Sequence, residues 1–422
     1  MIEYTLFTLA NGLRVVHHED CTTGRVALNL LYNVGARDES PQMTGLAHLF
    51  EHLMFGGSVN VPEFDYAMEM AGGNNNAWTS NDFTNFYCRI PAENVETAFW
   101  AESDRMLSLA FSEESLRVQR DVVMEEFKQV CLNKPYGDMG HHLRGLVFKK
   151  HPYRFPTIGK ELSHIERVTM DDVKQFFYSH YAPNNAVLAV AGNISLEKTR
   201  HLAEKWFGDI PMRDIVQRNY EAEPEQTEAR RLVVKADVPQ TRMVIAFPMG
   251  GALHPDYRVA DLLTDILASG NSSRFYRQLV MGTDIFTMAD ASISGSDEPG
   301  YLMIHACLRN NGEEAVEAAE RVIWQQLDSI ASEPVLESEL ERALNRFETN
   351  NVFSRLSYVA KAEQLAKAVM QGRDINSTIS DYRQVTVEDI KRVASEILQR
   401  HRSNTLIYEP ANWINYFLEE EK

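Results

Sequence analysis

The amino-acid sequence predicts an α+β chain of two homologous domains, each a mainly antiparallel sheet packed with helices. Three observations carry that expectation. Helical and strand-like segments are interspersed without regular βαβ alternation or a phosphate-binding glycine loop, which disfavours a doubly wound fold. A motif recurs: Val168-Thr169-Met170-Asp171-Asp172-Val173-Lys174 returns as Val385-Thr386-Val387-Glu388-Asp389-Ile390-Lys391, each time followed by a helical pattern and an apolar strand. Between the halves, residues 211–226 are polar, acidic and weakly periodic, as connecting segments are. The expected division is therefore 1–212 and 231–422, with 213–230 as linker.

In chain order, residues 26–31 are strand-like and precede a helix within 45–57, whose apolar residues at 46, 49, 50, 53 and 54 form one stripe stopped by Gly56 and Gly57. Residues 74–79 have the glycine entry and strand-like continuation of an exposed edge, and 84–90 read as a strand. Apolar spacings of three and four mark amphipathic helices at 94–109 and 112–130, before a helix after Val168 and a strand at 186–191. The second half repeats the order with strands at 232–236 and 243–247 and a helix from near Tyr257. Helices at 315–329 and 337–350 follow, then a last helix and a strand at 405–408. Trp100, Trp206 and Trp324 fall in helical patterns and read as core.

Composition narrows the function. The chain has 422 residues, 60 acidic against 42 basic side chains, a net charge of −18 and 44% hydrophobic residues, which is globular rather than disordered. The negative excess repels phosphate backbones and anionic lipid, so neither nucleic acid nor membrane is expected as a partner. No basic segment leads into an apolar h-region and no run of 18 apolar residues occurs, giving the expectation of a cytoplasmic protein. Cys21, Cys88, Cys131 and Cys307 form no CxxC pair, against both a disulfide framework and a thiolate metal site.

Chemistry concentrates in His48-Leu49-Phe50-Glu51-His52. Histidines four apart lie on one helix face, where their ring nitrogens can converge on a tetrahedral metal, with Glu51 beside them. This is the HxxEH, or inverzincin, pattern. With no cysteine nearby, three ligands plus water are favoured over a closed structural site. The third ligand is expected on another helix, and Gln119-Arg120-Asp121-Val122-Val123-Met124-Glu125-Glu126 offers two carboxylates that periodicity alone does not separate.

His48-Leu49-Phe50-Glu51-His52 followed 74 residues later by Glu126 resembles the zinc site of the pitrilysin, insulysin and mitochondrial processing peptidase family. Similar stretches cover most of the chain: Gly72-Gly73-Asn74-Asn75-Asn76-Ala77, Lys134-Pro135-Tyr136-Gly137, His151-Pro152-Tyr153, Tyr181-Ala182-Pro183-Asn184-Asn185 and Trp206-Phe207-Gly208-Asp209-Ile210-Pro211. The resemblance selects Glu126 as the third Zn2+ ligand and implies one active and one inactive domain. Where the family often has an acidic residue seven before that ligand, this chain has Gln119. With His48, His52 and Glu126 as ligands, a bound water's pKa falls toward about 7 and Glu51 serves as general base. By the same resemblance, Asn76 and Ala77 contact substrate backbone, an extended peptide adding to the 74–79 edge. Glycine entry and asparagines are equally the makings of a plain hairpin turn.

Superposing the repeat places Asp261 and Asp265 over His48 and His52, and Arg346 over Glu126, so the second half has no zinc site. Inactive family domains supply an Arg and a Tyr seven apart that grip substrate, whereas the aligned residues here are Val280 and Thr287. The resemblance thus implies a heterodimer with a related inactive subunit supplying that pair, or a homodimer. The expected function is a zinc endopeptidase acting on unfolded or presequence-like peptides in an enclosed chamber; a non-catalytic organising subunit is the competing reading. His17, His18, His141, His142, His151, His164 and His180 lie outside the metal spacing and read as surface or satisfied core residues, and Glu419-Glu420-Glu421 as a solvated tail.

Overall fold

A computed structural model describes residues 1–411. The acidic run Glu419–Glu421 lies outside the described residues. The first half contains β1 (Thr5–Thr8), β2 (Arg14–Glu19), β3 (Arg25–Tyr32), α1 (Leu46–Leu53), α2 (Phe64–Met70), β4 (Asn74–Thr79), β5 (Thr84–Pro91), α3 (Val95–Leu107) and α4 (Glu113–Phe127). It continues with α5 (Met139–Val147), α6 (Leu162–Glu166), α7 (Met170–His180), β6 (Ala186–Gly192) and α8 (Leu196–Phe207). The second half contains β7 (Arg230–Ala236), β8 (Arg242–Met249), α9 (Tyr257–Ala268), β9 (Phe286–Ile293), β10 (Gly300–Leu308) and α10 (Glu313–Ser332). Then come α11 (Glu337–Ser354), α12 (Tyr358–Met370), α13 (Thr378–Arg383), α14 (Val387–Ile397) and β11 (Asn404–Pro410).

The fold is α+β. One sheet has the strand order β1-β2-β6-β3-β5-β4 and the other β7-β11-β8-β10-β9. Each is antiparallel apart from one parallel pair, β2 with β6 and β7 with β11. The recurring motif proves to be a capping box. Thr169 Oγ1 accepts from Asp172 N while Asp172 Oδ2 accepts from Thr169 N, starting α7; Thr386 and Asp389 do the same for α14. Each capped helix then delivers the chain into the parallel strand of its sheet.

The chain forms two compact units that are not contiguous in sequence. One comprises residues 1–127, 155–220 and 350–378; the other comprises 128–154, 221–349 and 379–422, of which residues through 411 are described. Where a single switch near residues 213–230 was expected, each unit instead incorporates a segment from the opposite half. The physical reason is the two-faced sheet: β3 and β6 are buried along almost their whole length, so both faces need a cover. In the first unit, α12 supplies it, setting Ala362, Leu365 and Ala366 against Val16, Ala27, Leu31, Val187, Ala189 and Ala191. Alanines on both sides let the helix approach closely. In the second unit, α5 places Leu143 and Val147 against Val244, Ala246, Leu406 and Tyr408. The opposite face of that sheet packs on α9, α10 and α14 through Ile245, Phe247, Leu263, Ile323 and Ile390.

Trp324 is buried as expected. Trp100 and Trp206 are only half-buried, and Trp206 turns its indole N–H out to Glu96 Oε1 at 3.1 Å. Among the described residues, no helix is long and apolar enough to cross a membrane.

Candidate metal centre

The first unit brings α1 and α4 together. His48 and His52 stand one turn apart on α1 with ring centroids 4.9 Å apart and planes nearly perpendicular. Glu126, in the last turn of α4, points its Oε2 at both, 3.7 Å from His48 Nε2 and 3.5 Å from His52 Nε2. These separations are too long for good hydrogen bonds. They are close to the ~3.3–3.5 Å between ligands that each lie about 2.0–2.1 Å from one tetrahedral ion. Among the described residues, these three are the one group of histidine, cysteine and carboxylate side chains close enough to share a metal. Glu125 is exposed on α4 and outside the group.

Electrostatics suit ligation. Burial, aided by the neighbouring His52, pushes the His48 imidazole down to about 4, so it is neutral at pH 7 and its Nε2 lone pair is free. Its Nδ1 is buried with no hydrogen-bond partner among the described residues, a cost of about 1–3 kcal/mol carried within the site. Glu51 lies on the same helix but outside the ligand group. Burial raises its carboxyl to about 7; Glu126 adds to the rise and a hydrogen bond from Thr79 opposes it. That bond, Thr79 Oγ1 to Glu51 Oε2 at 2.5 Å, joins β4 to α1.

The N-terminus of α1 is anchored from several directions. Glu39 accepts hydrogen bonds from Gly45 N and Ala47 N, both at 2.8 Å, satisfying two backbone donors at the helix start that have no partner within the helix, while burial raises its carboxyl to about 8. Thr44 Oγ1 meets His164 Nδ1 at 2.8 Å and accepts from Lys160 N at 2.8 Å. Gly45 has φ +90°, and a Cβ there would meet Ile158 O at 3.0 Å and Gly159 Cα at 3.1 Å, so only glycine fits this entry. Phe50, between the two ligands, is fully buried against Phe176, Phe177 and Tyr181, which fixes the rotation of the helix.

Asn76 and Ala77 lie on β4, the edge of the first sheet, three and two residues before Thr79. Asn76 is exposed, and its side-chain oxygen accepts the Ala77 N–H at 2.8 Å. Thr79 ends the strand-like 74–79 stretch, and its contact with Glu51 depends on how β4 meets α1, which no local pattern reports. In the second unit, Asp261 accepts from Tyr382 Oη at 2.8 Å and Asp265 lies 3.5 Å from Arg346, and among the described residues no ligand set forms on α9. Val280 ends a π-helical turn and Thr287 lies on β9. His17, His151, His164 and His180 are buried and hydrogen-bonded.

The family model described as insulinase, peptidase family M16, matches residues 14–156, and that of the peptidase M16 inactive domain matches residues 167–347. The zinc protease PqqE of Helicobacter pylori is 28% identical over 414 residues, covering 96% of this chain and 92% of the relative. The uncharacterized zinc protease YmxG of Bacillus subtilis is 24% identical, covering 96% and 98%. A protease crystal structure from Helicobacter pylori superposes with a TM-score of 0.89 at 26% identity, covering 97% of this chain and all of that one. Pitrilysin, at 16% identity and a TM-score of 0.76, shares the fold over 97% of this chain and 45% of its own length. With two family models matching successive segments and full-length zinc-protease relatives, the chain belongs to the pitrilysin, insulysin and mitochondrial processing peptidase family, peptidase family M16.

Proposed function

We propose that this chain is a zinc-dependent endopeptidase. The observation that carries the reading is the convergence of His48 Nε2, His52 Nε2 and Glu126 Oε2 beside a half-buried carboxylate, Glu51, that is not one of the three. When bound by these three residues, zinc supplies Lewis-acid polarisation of a scissile carbonyl and activation of water. Glu51 takes the proton of the attacking water and returns it to the leaving amine. Thr79 holds one Glu51 oxygen and leaves the other for that proton. Asn76 and Ala77 offer backbone and amide groups on the β4 edge, where an unfolded or presequence-like peptide adds as a strand. To pair with the Ala77 N–H, the substrate displaces the Asn76 side chain.

Because the substrate-gripping Arg and Tyr are absent at Val280 and Thr287, a related inactive subunit is the proposed source, completing an enclosed chamber as a heterodimer; a homodimer is the alternative assembly. The test is zinc content together with hydrolysis of quenched fluorescent peptides by wild type and Glu51→Gln, each with and without the partner. Zinc in both, with activity in wild type only, supports the peptidase. Equal activity in both variants would return the chain to the role of a non-catalytic organising subunit.

A further inference from the structure

The two sheets differ at one edge. β2 and β7 are counterparts, each running parallel to the last strand of its sheet, Arg14 opposite Val187 and Arg230 opposite Asn404. On its outer side β2 is covered by β1, antiparallel, from Thr5 opposite His17 to Thr8 opposite Arg14. Among the described residues, no strand covers β7. Arg230 N donates to Ser403 O, and Ala236 O accepts from Ala411 N, so the even-numbered residues of β7 turn their backbone groups inward. Alternate residues of a strand turn the other way, which leaves the N–H and C=O groups of Arg231, Val233 and Lys235 pointing outward.

Beside this open edge, a groove of about 520 Å³ runs between β7 and α10. Arg231, Arg321 and Arg400 line it together with only two carboxylates, Glu320 and Asp328, a formal charge of +1 on a chain whose net charge is −18; the Arg230 guanidinium instead donates to Leu146 O and Val147 O of α5. Arg400 lies over the Trp324 ring at 4.3 Å and pairs with Asp328 at 2.8 Å, and Arg231 pairs with Glu320. Arg321 is exposed and makes no ion pair among the described residues. On the opposite face of β7, Leu232, Val234 and Ala236 pack against the α5 cluster.

We propose that β7 is a docking edge for an extended acidic segment of another protein, added antiparallel as β1 is added to β2. A peptide fits better than a small anion because the open groups lie along a strand seven residues long, the length of β7. It also fixes a pattern. Side chains of an added strand alternate between faces at ~6.6–6.8 Å spacing on each. Every second residue therefore reaches the arginine groove, and those between extend the apolar face. The matching sequence alternates Asp or Glu with Val, Ile or Leu. The proposal does not rest on the metal centre.

The experiment uses the full chain carrying Glu51→Gln, so that peptide is not consumed, and fluorescence anisotropy with a labelled heptapeptide of alternating Glu and Val. The expected result is saturable binding that weakens with rising salt and falls about tenfold in Arg321→Glu or Arg400→Glu. Val233→Pro removes one outward N–H at an edge position where proline is tolerated, and is expected to abolish binding. A peptide N-methylated at alternate residues tests the same hydrogen bonds should that variant fail to fold. No saturable binding up to about 1 mM at low salt overturns the proposal. Equal binding of a Lys-Val peptide, or acidic-peptide binding that survives both Val233→Pro and N-methylation, overturns it too, the latter leaving a plain anion site.

Discussion

Thr79→Val isolates the hydrogen bond that orients the proposed general base. Thr79 Oγ1 and Glu51 Oε2 are 2.5 Å apart, in the range of O–H···O⁻ bonds that carry a full charge on the acceptor. Such bonds contribute about 1.5–3 kcal/mol. Because Thr79 is half-buried, water can recover part of that, and the expected loss is about 1.4 kcal/mol, or tenfold in kcat. Valine is nearly isosteric and favours strands, so β4 and its Asn76 and Ala77 groups stay in place and KM is expected to change less than about twofold. Thr79→Ser restores the hydroxyl and should keep kcat within about threefold of wild type. The assay is steady-state hydrolysis of a quenched fluorescent peptide, with zinc per chain measured for all three proteins. A Thr79→Val enzyme with unchanged kcat would refute the positioning role. So would a loss confined to KM, or a serine variant as impaired as the valine one.

Glu126→Gln should lower metal affinity by at least the 10–100-fold that follows loss of a mere outer-shell partner. Zinc titration followed by activity checks this, and full metal loading at stoichiometric zinc would contradict the ligand assignment. Leu365→Ala, at a site 1% exposed beneath the first sheet, should cost about 2–4 kcal/mol although Leu365 lies in the second half of the sequence. Denaturant unfolding reads this directly, and a loss under about 1 kcal/mol would show that α12 is not part of that core. Asp20 is held at about 2 by the Lys361 ammonium and the Thr22 hydroxyl. Its folded value lies below the unfolded one, so its stabilisation is present above pH ~3.9 and is lost as pH falls through ~2. Asp20→Asn should therefore lower the melting temperature at pH 6, by an amount corresponding to about 1 kcal/mol after allowance for solvent screening, and match wild type near pH 2. A constant difference between the two proteins at all pH values would count against the ion pair. Removing metal with a chelator should abolish hydrolysis and leave cooperative unfolding in place; activity that persists in metal-free protein would rule out the proposed chemistry.

Much of the site could be read locally because its signals are local. The i,i+4 spacing of His48 and His52, the apolar stripe beneath them and the Gly56-Gly57 stop are properties of one helical segment, and α1 runs Leu46–Leu53 within the expected range. Capping chemistry likewise needs only four residues, and Thr169–Asp172 and Thr386–Asp389 both form their boxes. The choice between Glu125 and Glu126 required the direction of α4 relative to α1, and periodicity cannot supply that. The exchange of α5 and α12 between units was hidden for a related reason. Each helix has an ordinary amphipathic pattern, and a pattern states that a face is buried without stating which sheet buries it. Thr79 and Glu39 act through contacts 28 residues away and with backbone N–H groups six and eight residues on, respectively, and neither leaves a periodic trace.

The second unit shows what the same helix pair does without ligands. α9 presents Asp261 and Asp265 four apart, as α1 presents His48 and His52, and α11 carries Arg346 toward Asp265 at 3.5 Å. Burial raises both aspartates, so the arrangement gains little from charge; an ion pair with one partner 48% exposed contributes about 0–1 kcal/mol. α9 and α11 are nevertheless held, by Leu262, Leu263, Ile266, Leu340, Ala343 and Leu344 in a common core. The corresponding helices of the first unit bury Leu46, Leu49, Phe50 and Leu53 on α1 and Leu116, Val123 and Phe127 on α4. Buried apolar residues are thus common to both helix pairs. The His48, His52 and Glu126 cluster is half-buried with its ligand atoms aimed at one point, an arrangement that suits the open catalytic site proposed above better than a closed structural clamp.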